Sequence, residues 1–490
     1  MPSVHSAGPA RLTRRELLKG LAAASLAGCA GCGGGGSSPP PSPPPDLTLP
    51  ALTAAELVPQ LERRAFDFFW ETAHADTGLV PDRWPNDWGS SIASVGFALT
   101  AYCIGVERGY VTRAQALSRA LTTARFFRDA PMGPGATGVT GYKGFYYHFL
   151  SYPAGHRAGT CELSPIDTAL LLAGLLHAQA FFDGADAGET ELRAAVDTIY
   201  DRIDWKWMQQ RGAAIALAWS PEGGFLPYDW IGNSEGALLY LLALGAPTNP
   251  LGADAWAAWT SKLDAWNQFR TEWGQTYLTF PPLFGHQFPQ CFIDLRGVQD
   301  PYMKAKGLDY FENTRRATLA QRAYAIANPG RFTAYGADVW GLTACDGPAE
   351  VAKVVNGTPR QFHAYSARGP GGVDDGTIAP YAAGSSLPHA PEIVEPALVA
   401  LHSRYGKAIW GKYGFFAFNP TFSFPGASPT QGRLEPGFGW VNTDFLGIEL
   451  GPLLAMIANA HGELVWARTR QHPAIKKGLL AAGFTGGWLG

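Results

Sequence analysis

Stretches with apolar residues at helical spacing recur almost evenly from about residue 56 to residue 481, and no alternation of strand and helix interrupts them. Helices supplied at this density, without strands to pack on, must bury their faces against one another. Glu56 to Thr72 sets the pattern, with Leu57, Leu61, Phe68 and Phe69 on one side and Glu62, Arg63, Arg64 and Asp67 between them. Similar stretches fall at 91–107, 112–128, 165–182, 189–208, 233–244, 252–270, 311–327, 392–405, 449–461 and 472–481. They predict an all-α architecture. Strand signals are few and lie in loops, as in Phe145-Tyr146-Tyr147-His148-Phe149.

The first 45 residues stand apart from this rhythm. Thr13-Arg14-Arg15-Glu16-Leu17-Leu18-Lys19 pairs two arginines ahead of the short apolar run Leu21 to Ala27, which is too short to span a bilayer. The pattern resembles a twin-arginine export signal. Leu26-Ala27-Gly28-Cys29 resembles a lipoprotein processing box, so residues 1–28 are expected to be a signal peptide and Cys29 the lipidated residue. Residues 29–45 then form a Gly/Ser/Pro tether, and 46–490, with no second low-complexity break, a single domain. The chain is expected to hang from a membrane, facing the periplasm from the outer membrane or the cell surface. Two or more acyl chains on one cysteine anchor a protein stably.

Composition removes further classes. With 38 Lys+Arg against 41 Asp+Glu there is no basic field to gather nucleic acid. Charged residues make up 16% of the chain, against about 25% in an average domain, so most side chains are available for a core. Beyond Cys29 and Cys32, the cysteines at 103, 161, 291 and 345 match no zinc spacing; they allow three disulfide pairings, and Cys103 reads as a small core residue. There is no HExxH, GxSxG or P-loop. Gly133-Pro134-Gly135-Ala136-Thr137-Gly138 matches GxGxxG without the strand and helix that a nucleotide needs. Asp183, Asp186 and Glu189 fit no calcium loop. No metal or cofactor is expected.

The long segments between helices hold the unusual residues. Segments 76–90, 131–163, 219–232, 271–310, 329–391 and 413–445 are rich in Gly, Pro, Trp, Tyr and Phe. Loops of this length in a compact domain are usually functional. Trp and Tyr present a flat apolar face with a polar edge, which suits sugar rings. Carboxylates at helix starts are the second signal. Ser164 caps a helix in which Pro165 suits the first position and Asp167 the third, and Asn233 or Ser234 caps a helix with Glu235 in its first turn. A helix N-terminus favours an anion by about 0.3–1 kcal/mol, whereas burial raises a carboxyl pKa by up to about 3–5 units. A buried Glu can therefore keep the proton that a glycosidase delivers to its leaving oxygen, while a second carboxylate works on water or the anomeric carbon. Asp374 and Asp375, in a Gly/Pro-rich loop, supply further carboxylates.

Several blocks, in order from about residue 55 to 468, carry a resemblance: Phe66-Asp67-Phe68-Phe69-Trp70, Gly105 to Thr112, Ile166 to Leu171, Ser234-Glu235-Gly236-Ala237, Tyr310-Phe311-Glu312-Asn313, Gly336 to Ala344, Gly376-Thr377-Ile378-Ala379-Pro380, Tyr413-Gly414-Phe415-Phe416 and Gly447 to Pro452. The chain is similar to the bacterial family labelled "putative glucoamylase", whose members include β-1,2-glucan-degrading glycoside hydrolases. The resemblance implies an (α/α)6 toroid with long aromatic-rich loops and minor β structure. It implies an inverting glycoside hydrolase acting on a β-glucan, with β-1,2-glucan the expected substrate. Glu235 matches the family's glutamate in an Asn-Glu-Ala block and is the expected general acid. Asp167 matches a glutamate at a helix start, and Asp375 or Asp374 borders the Gly-Thr-Ile-Ala-Pro run; these are the expected base candidates.

Three departures leave linkage and base open. Ser164 stands where the endo-glucanases carry an Asp, with Glu162 nearby. Gly414-Phe415-Phe416-Ala417-Phe418 lacks the family's Asp, and Ile448-Glu449-Leu450-Gly451-Pro452 replaces Ile-Asp-Gln-Gly-Pro. Arg83, Trp84, Trp88, Tyr147, Trp230, His286, Trp340, Trp440 and Glu449 are the expected substrate contacts. Another glucan, exo attack, a polysaccharide lyase and a non-catalytic glycan binder are the alternatives. The lyase would call for a basic cleft that these loops do not offer.

Overall fold

The computed structural model describes residues 46–490, so the signal, Cys29 and the tether lie outside the described residues. The chain folds into fifteen helices, among the described residues, joined by loops that carry short antiparallel ribbons. In chain order they are α1 Ala54–Thr72, α2 Ile92–Glu107, α3 Arg113–Asp129, α4 Pro165–Phe181, α5 Ala187–Asp201, α6 Gly236–Gly245, α7 Asp254–Thr260, α8 Phe284–Phe292, α9 Pro301–Lys306, α10 Tyr310–Ala327, α11 Pro380–Gly384, α12 Pro391–Ile409, α13 Gly447–Ala460, α14 Trp466–Thr469 and α15 Pro473–Ala481.

Two kinds of helix alternate, and hydropathy separates them. All ten residues of α6 are buried, as are nearly all of α2, α4 and α13. A helix that is apolar all round belongs in the interior. By contrast α1, α3 and α5 carry charged outer faces and bury one stripe. The buried set closes a ring in which α2 packs on α4, α4 on α6, α6 on α8, α11 on α13 and α13 back on α2. The Gln287 side chain of α8 bridges the remaining step, donating to the Ala382 carbonyl of α11 at 2.8 Å. Around it, α1, α3, α5, α10 and α12, with α7 and α15 together, form an outer layer. This is the (α/α)6 double ring.

The ring is tight because glycines let inner backbones touch. A Cβ on Gly174 of α4 would collide with the Gly96 carbonyl of α2, and one on Gly96 with the Leu170 carbonyl. Backbone atoms cannot give way as a flexible side chain does. Gly174→Ala is expected to lower stability by about 1–3 kcal/mol, read as a fall in the urea midpoint. A midpoint unchanged from wild type would mean that the two helices can part without loss.

Two expected helices are shorter than their patterns. The 189–208 pattern ends at Asp201, and a separate 3-10 turn, Trp205–Met208, follows with the Asp204 side chain accepting from the Trp207 amide at 3.1 Å. The 252–270 pattern yields only α7; its remainder turns into a ribbon of Phe269–Glu272 with Gln275–Leu278. The four cysteines at 103, 161, 291 and 345 are all free, so none of the allowed pairings forms. No described helix is long and apolar enough to cross a membrane.

Candidate active site

A cavity of about 480 Å³ opens where inner helices begin. Its wall takes Glu235 from the start of α6, Phe284, Gln287 and Phe288 from α8, Tyr381 from α11, and Ile448, Glu449 and Pro452 from α13. Loops supply Asp229, Trp230, Trp266, Gln268, Arg270 and Tyr365. Inner-ring helices must start somewhere, and here their first turns converge, bringing N-terminal dipole ends and carboxylates to one place.

Glu235 occupies the N-cap position of α6, one place earlier than its expected seat in the first turn. The Ser234 hydroxyl accepts from the Gly236 amide at 3.3 Å, and the Glu235 carbonyl accepts from Leu238 at 3.1 Å. Only 4% of Glu235 is exposed. Its approach is pinned from both sides: the Asn233 amide donates to Gln268 at 3.1 Å and the Trp230 amide to the Ile215 carbonyl at 2.8 Å.

Glu449 lies in the first turn of α13, 5% exposed. Burial drives its carboxyl well above the usual range; the Tyr381 hydroxyl opposes that rise, and the negative charge of Asp346 adds to it. Arg83 stands behind Glu449. Its guanidinium contacts Asp346 at 2.8 Å, Asp82 at 3.1 Å and Asp444 at 3.9 Å. Asn442 also donates to Asp346, at 3.3 Å. Arg83 reaches this position because Arg83–Trp84 pairs with Phe445–Leu446, the residues that lead into α13.

Of the expected site residues, Glu235, Trp230 and Glu449 line the cavity. The others do not, and their contacts say why. Asp375 is bound on both oxygens by Arg368, at 2.7 and 2.8 Å, with both side chains fully buried. Burial pushes Asp375 up, yet the Arg368 guanidinium holds it below the usual carboxylate range. Asp374 accepts from the Tyr324 and Tyr335 hydroxyls, each at 2.7 Å, and burial raises it to about 6. Asp167 accepts from Ser164 at 2.5 Å and lies 3.7 Å from His148, whose other ring nitrogen meets Glu162 at 2.9 Å. That row of three sits at the start of α4, beside the cavity wall in the ring order.

Tyr147, Trp340 and Trp440 are core residues, each no more than 1% exposed. His286 is buried in α8, its Nε2 donating to the Phe280 carbonyl at 3.1 Å, and burial lowers it to about 4. Trp84 packs against the core, and Trp88 lies on the surface with its ring centroid 5.0 Å from that of Phe149. Asp229, Trp266, Arg270, Tyr365 and Tyr381 line the cavity without having been expected there. A signal existed for one of them: Tyr381 directly follows the Gly-Thr-Ile-Ala-Pro run. Trp266 and Arg270 were hidden inside the over-long 252–270 helix pattern. Among the described residues no group of three or more His, Cys, Asp or Glu is arranged to hold a metal ion.

Known proteins share this architecture. The crystal structure of a "putative glucoamylase" from Bacteroides uniformis superposes with a TM-score of 0.76 at 29% identity, covering 90% of this chain and 99% of that one. The endo-β-1,2-glucanase of Chitinophaga pinensis, in complex with sophorotriose and glucose, superposes at 0.74 with 25% identity, covering 90% and 100%. A curated relative, the exo β-1,2-glucooligosaccharide sophorohydrolase (non-reducing end) of Parabacteroides distasonis, is 27% identical over 453 residues. The match takes in 87% of this chain, which spans 58% of that relative's length. The family model "Putative glucoamylase" (Glycoamylase) matches residues 227–473, half of the chain and a span that holds both Glu235 and Glu449. The chain belongs to that family.

Proposed function

We propose that this protein is a glycoside hydrolase that cleaves β-1,2-linked glucan, with Glu235 as general acid and Glu449 as the carboxylate that activates water. The observation that carries the reading is that these two glutamates, from the starts of two inner helices, line one cavity whose wall also includes Trp230, Trp266, Tyr365 and Tyr381. The linkage is supported by the names of two relatives, one an exo-acting and one an endo-acting β-1,2-glucanase. Glu235 is given the acid role by its match to the family glutamate. Asp375 does not compete for the base role, because its oxygens already accept two bonds each, from the buried Arg368 and from the Thr377 and His363 amides, and none is left for water.

A base works best when its pKa lies near the working pH, and burial moves Glu449 in that direction. Because the reaction needs Glu449 ionised, activity is lost as pH falls through its raised pKa. The acidic limb of the kcat/KM profile should therefore lie above the ordinary carboxylate range.

The test is product analysis with β-1,2-glucan, β-1,3-glucan and starch, with the product anomer followed by NMR. Release of short oligosaccharides from β-1,2-glucan alone, with inversion, is expected. Hydrolysis of starch or β-1,3-glucan in its place would overturn the linkage, and retention would make Glu449 a nucleophile. The same reading puts the enzyme outside the cytoplasm, tethered through Cys29, on the strength of the paired arginines and the Leu26–Cys29 box. Loss of membrane association in Cys29→Ser checks it.

A further inference from the structure

Trp266 is the most exposed tryptophan among the described residues, with 54% of its surface open, and it stands on the wall of the cavity that holds Glu235. An indole in that state has not been placed for the core. It packs in no aromatic pair and belongs to no part of the buried apolar cluster. A large apolar face left open beside polar groups marks a binding surface.

Its position is fixed all the same. The Trp266 amide donates to the Lys262 carbonyl at 2.8 Å, and Asn267, with φ of 51°, turns the chain sharply after it. The six-membered edge of the indole lies against Gly232, so close that a Cβ there would sit 2.9 Å from the ring. Gly232 also has a φ of 85°, so no other residue fits easily. Gln268 grips the next residue, accepting from the Asn233 amide at 3.1 Å. The indole and Gln268 thus hold the Gly232-Asn233 step that leads directly to Glu235. Arg270 lines the same cavity, fastened by Glu272 at 2.8 Å and by the Asn267 carbonyl at 2.7 Å, so that its flat fork of donors is held on the wall that carries the ring.

A rigid aromatic face with adjacent hydrogen-bond donors suits a pyranose, which offers an apolar C–H face and a rim of hydroxyls. Resting on the hydrolase reading above, we infer that Trp266 is the platform for a glucosyl unit away from the bond being cleaved, and that it sets the enzyme's preference for chain length. Binding to that remote unit places the scissile bond against Glu235, because the platform rests on Gly232, three residues before the acid.

The experiment measures kcat/KM on β-1,2-glucooligosaccharides of increasing length for the full-length protein, Trp266→Ala and Trp266→Tyr. Wild type should gain with length up to a plateau. Trp266→Ala should lose about tenfold, or ~1.4 kcal/mol, on chains that reach the platform, chiefly through KM, and little on the shortest chain cleaved. Trp266→Tyr should keep most of the gain. Equal loss at every length, or no loss at any, overturns the inference. If wild type cleaves no β-1,2-glucan, the hydrolase reading has failed separately, and affinity electrophoresis through β-1,2-glucan then decides on Trp266. Retardation of wild type that Trp266→Ala abolishes upholds the platform; equal mobility of the two rejects it.

Discussion

Glu235→Gln should lower kcat on β-1,2-glucan by about 10²–10⁴-fold while leaving the fold and oligosaccharide binding in place. Glutamine keeps the size of the side chain and its place at the N-cap of α6, so nothing in the ring has to move. What it cannot do is hand a proton to the departing oxygen. The requirement falls when the leaving group is acidic in its own right. An aryl β-sophoroside with a nitrophenol leaving group should therefore lose much less than the glucan does. Equal loss on both substrates would show that Glu235 acts otherwise than as a proton donor. Circular dichroism and the urea midpoint, unchanged from wild type, separate chemistry from misfolding.

Asp375→Asn should cost about 3–5 kcal/mol of stability, the largest structural effect expected of a single polar change here. Arg368 has no exposed surface, and its five donors are spent on Asp375, the carbonyls of Cys345, His363 and Ser366, and the Cys345 thiol. Asp375 also accepts from the amides of His363 and Thr377, both at 3.0 Å, so it holds together the loop that leads into α11. Asparagine keeps the shape and removes the charge, leaving a buried guanidinium without its counter-ion. The effect is read in the urea midpoint and the Tm. Whatever protein stays folded should turn over at close to the wild-type rate, since Asp375 is not on the cavity wall. A stable variant with lost kcat would instead make Asp375 part of the chemistry.

Much of the scaffold was legible in the sequence because inner and outer helices differ in kind. Pro165–Phe181 and Gly447–Ala460 are apolar on every face, whereas Ala54–Thr72 has a charged side, and both patterns survive in the fold. The inner helix Phe284–Phe292 was not legible. It carries Gln287, Gln290 and His286 and is interrupted by Pro289, a composition that reads as loop. Those side chains are satisfied inside the ring: Gln287 by Ala382 and Ser386, and Gln290 by Tyr310 and Thr314. Hydropathy cannot anticipate a partner that arrives from a distant helix. The same holds for the site. Glu235 is visible as a carboxylate at a helix start and Glu449 as a departure within the Ile448 to Pro452 block, but their common cavity exists only once the ring closes. Trp340 and Trp440 show the reverse error, since loop tryptophans attract attention in a sequence while packing uses them freely as core.

The last inner helix to be made, α13, is the one that closes the ring against α1 and α2, and it brings Glu449 with it. During synthesis, therefore, the chain up to Leu446 can assemble most of a barrel wall and still hold only one of the two glutamates. Contacts of such long sequence separation form late and slowly. The pairing of the two glutamates is accordingly all or nothing, made when α13 docks rather than built up segment by segment.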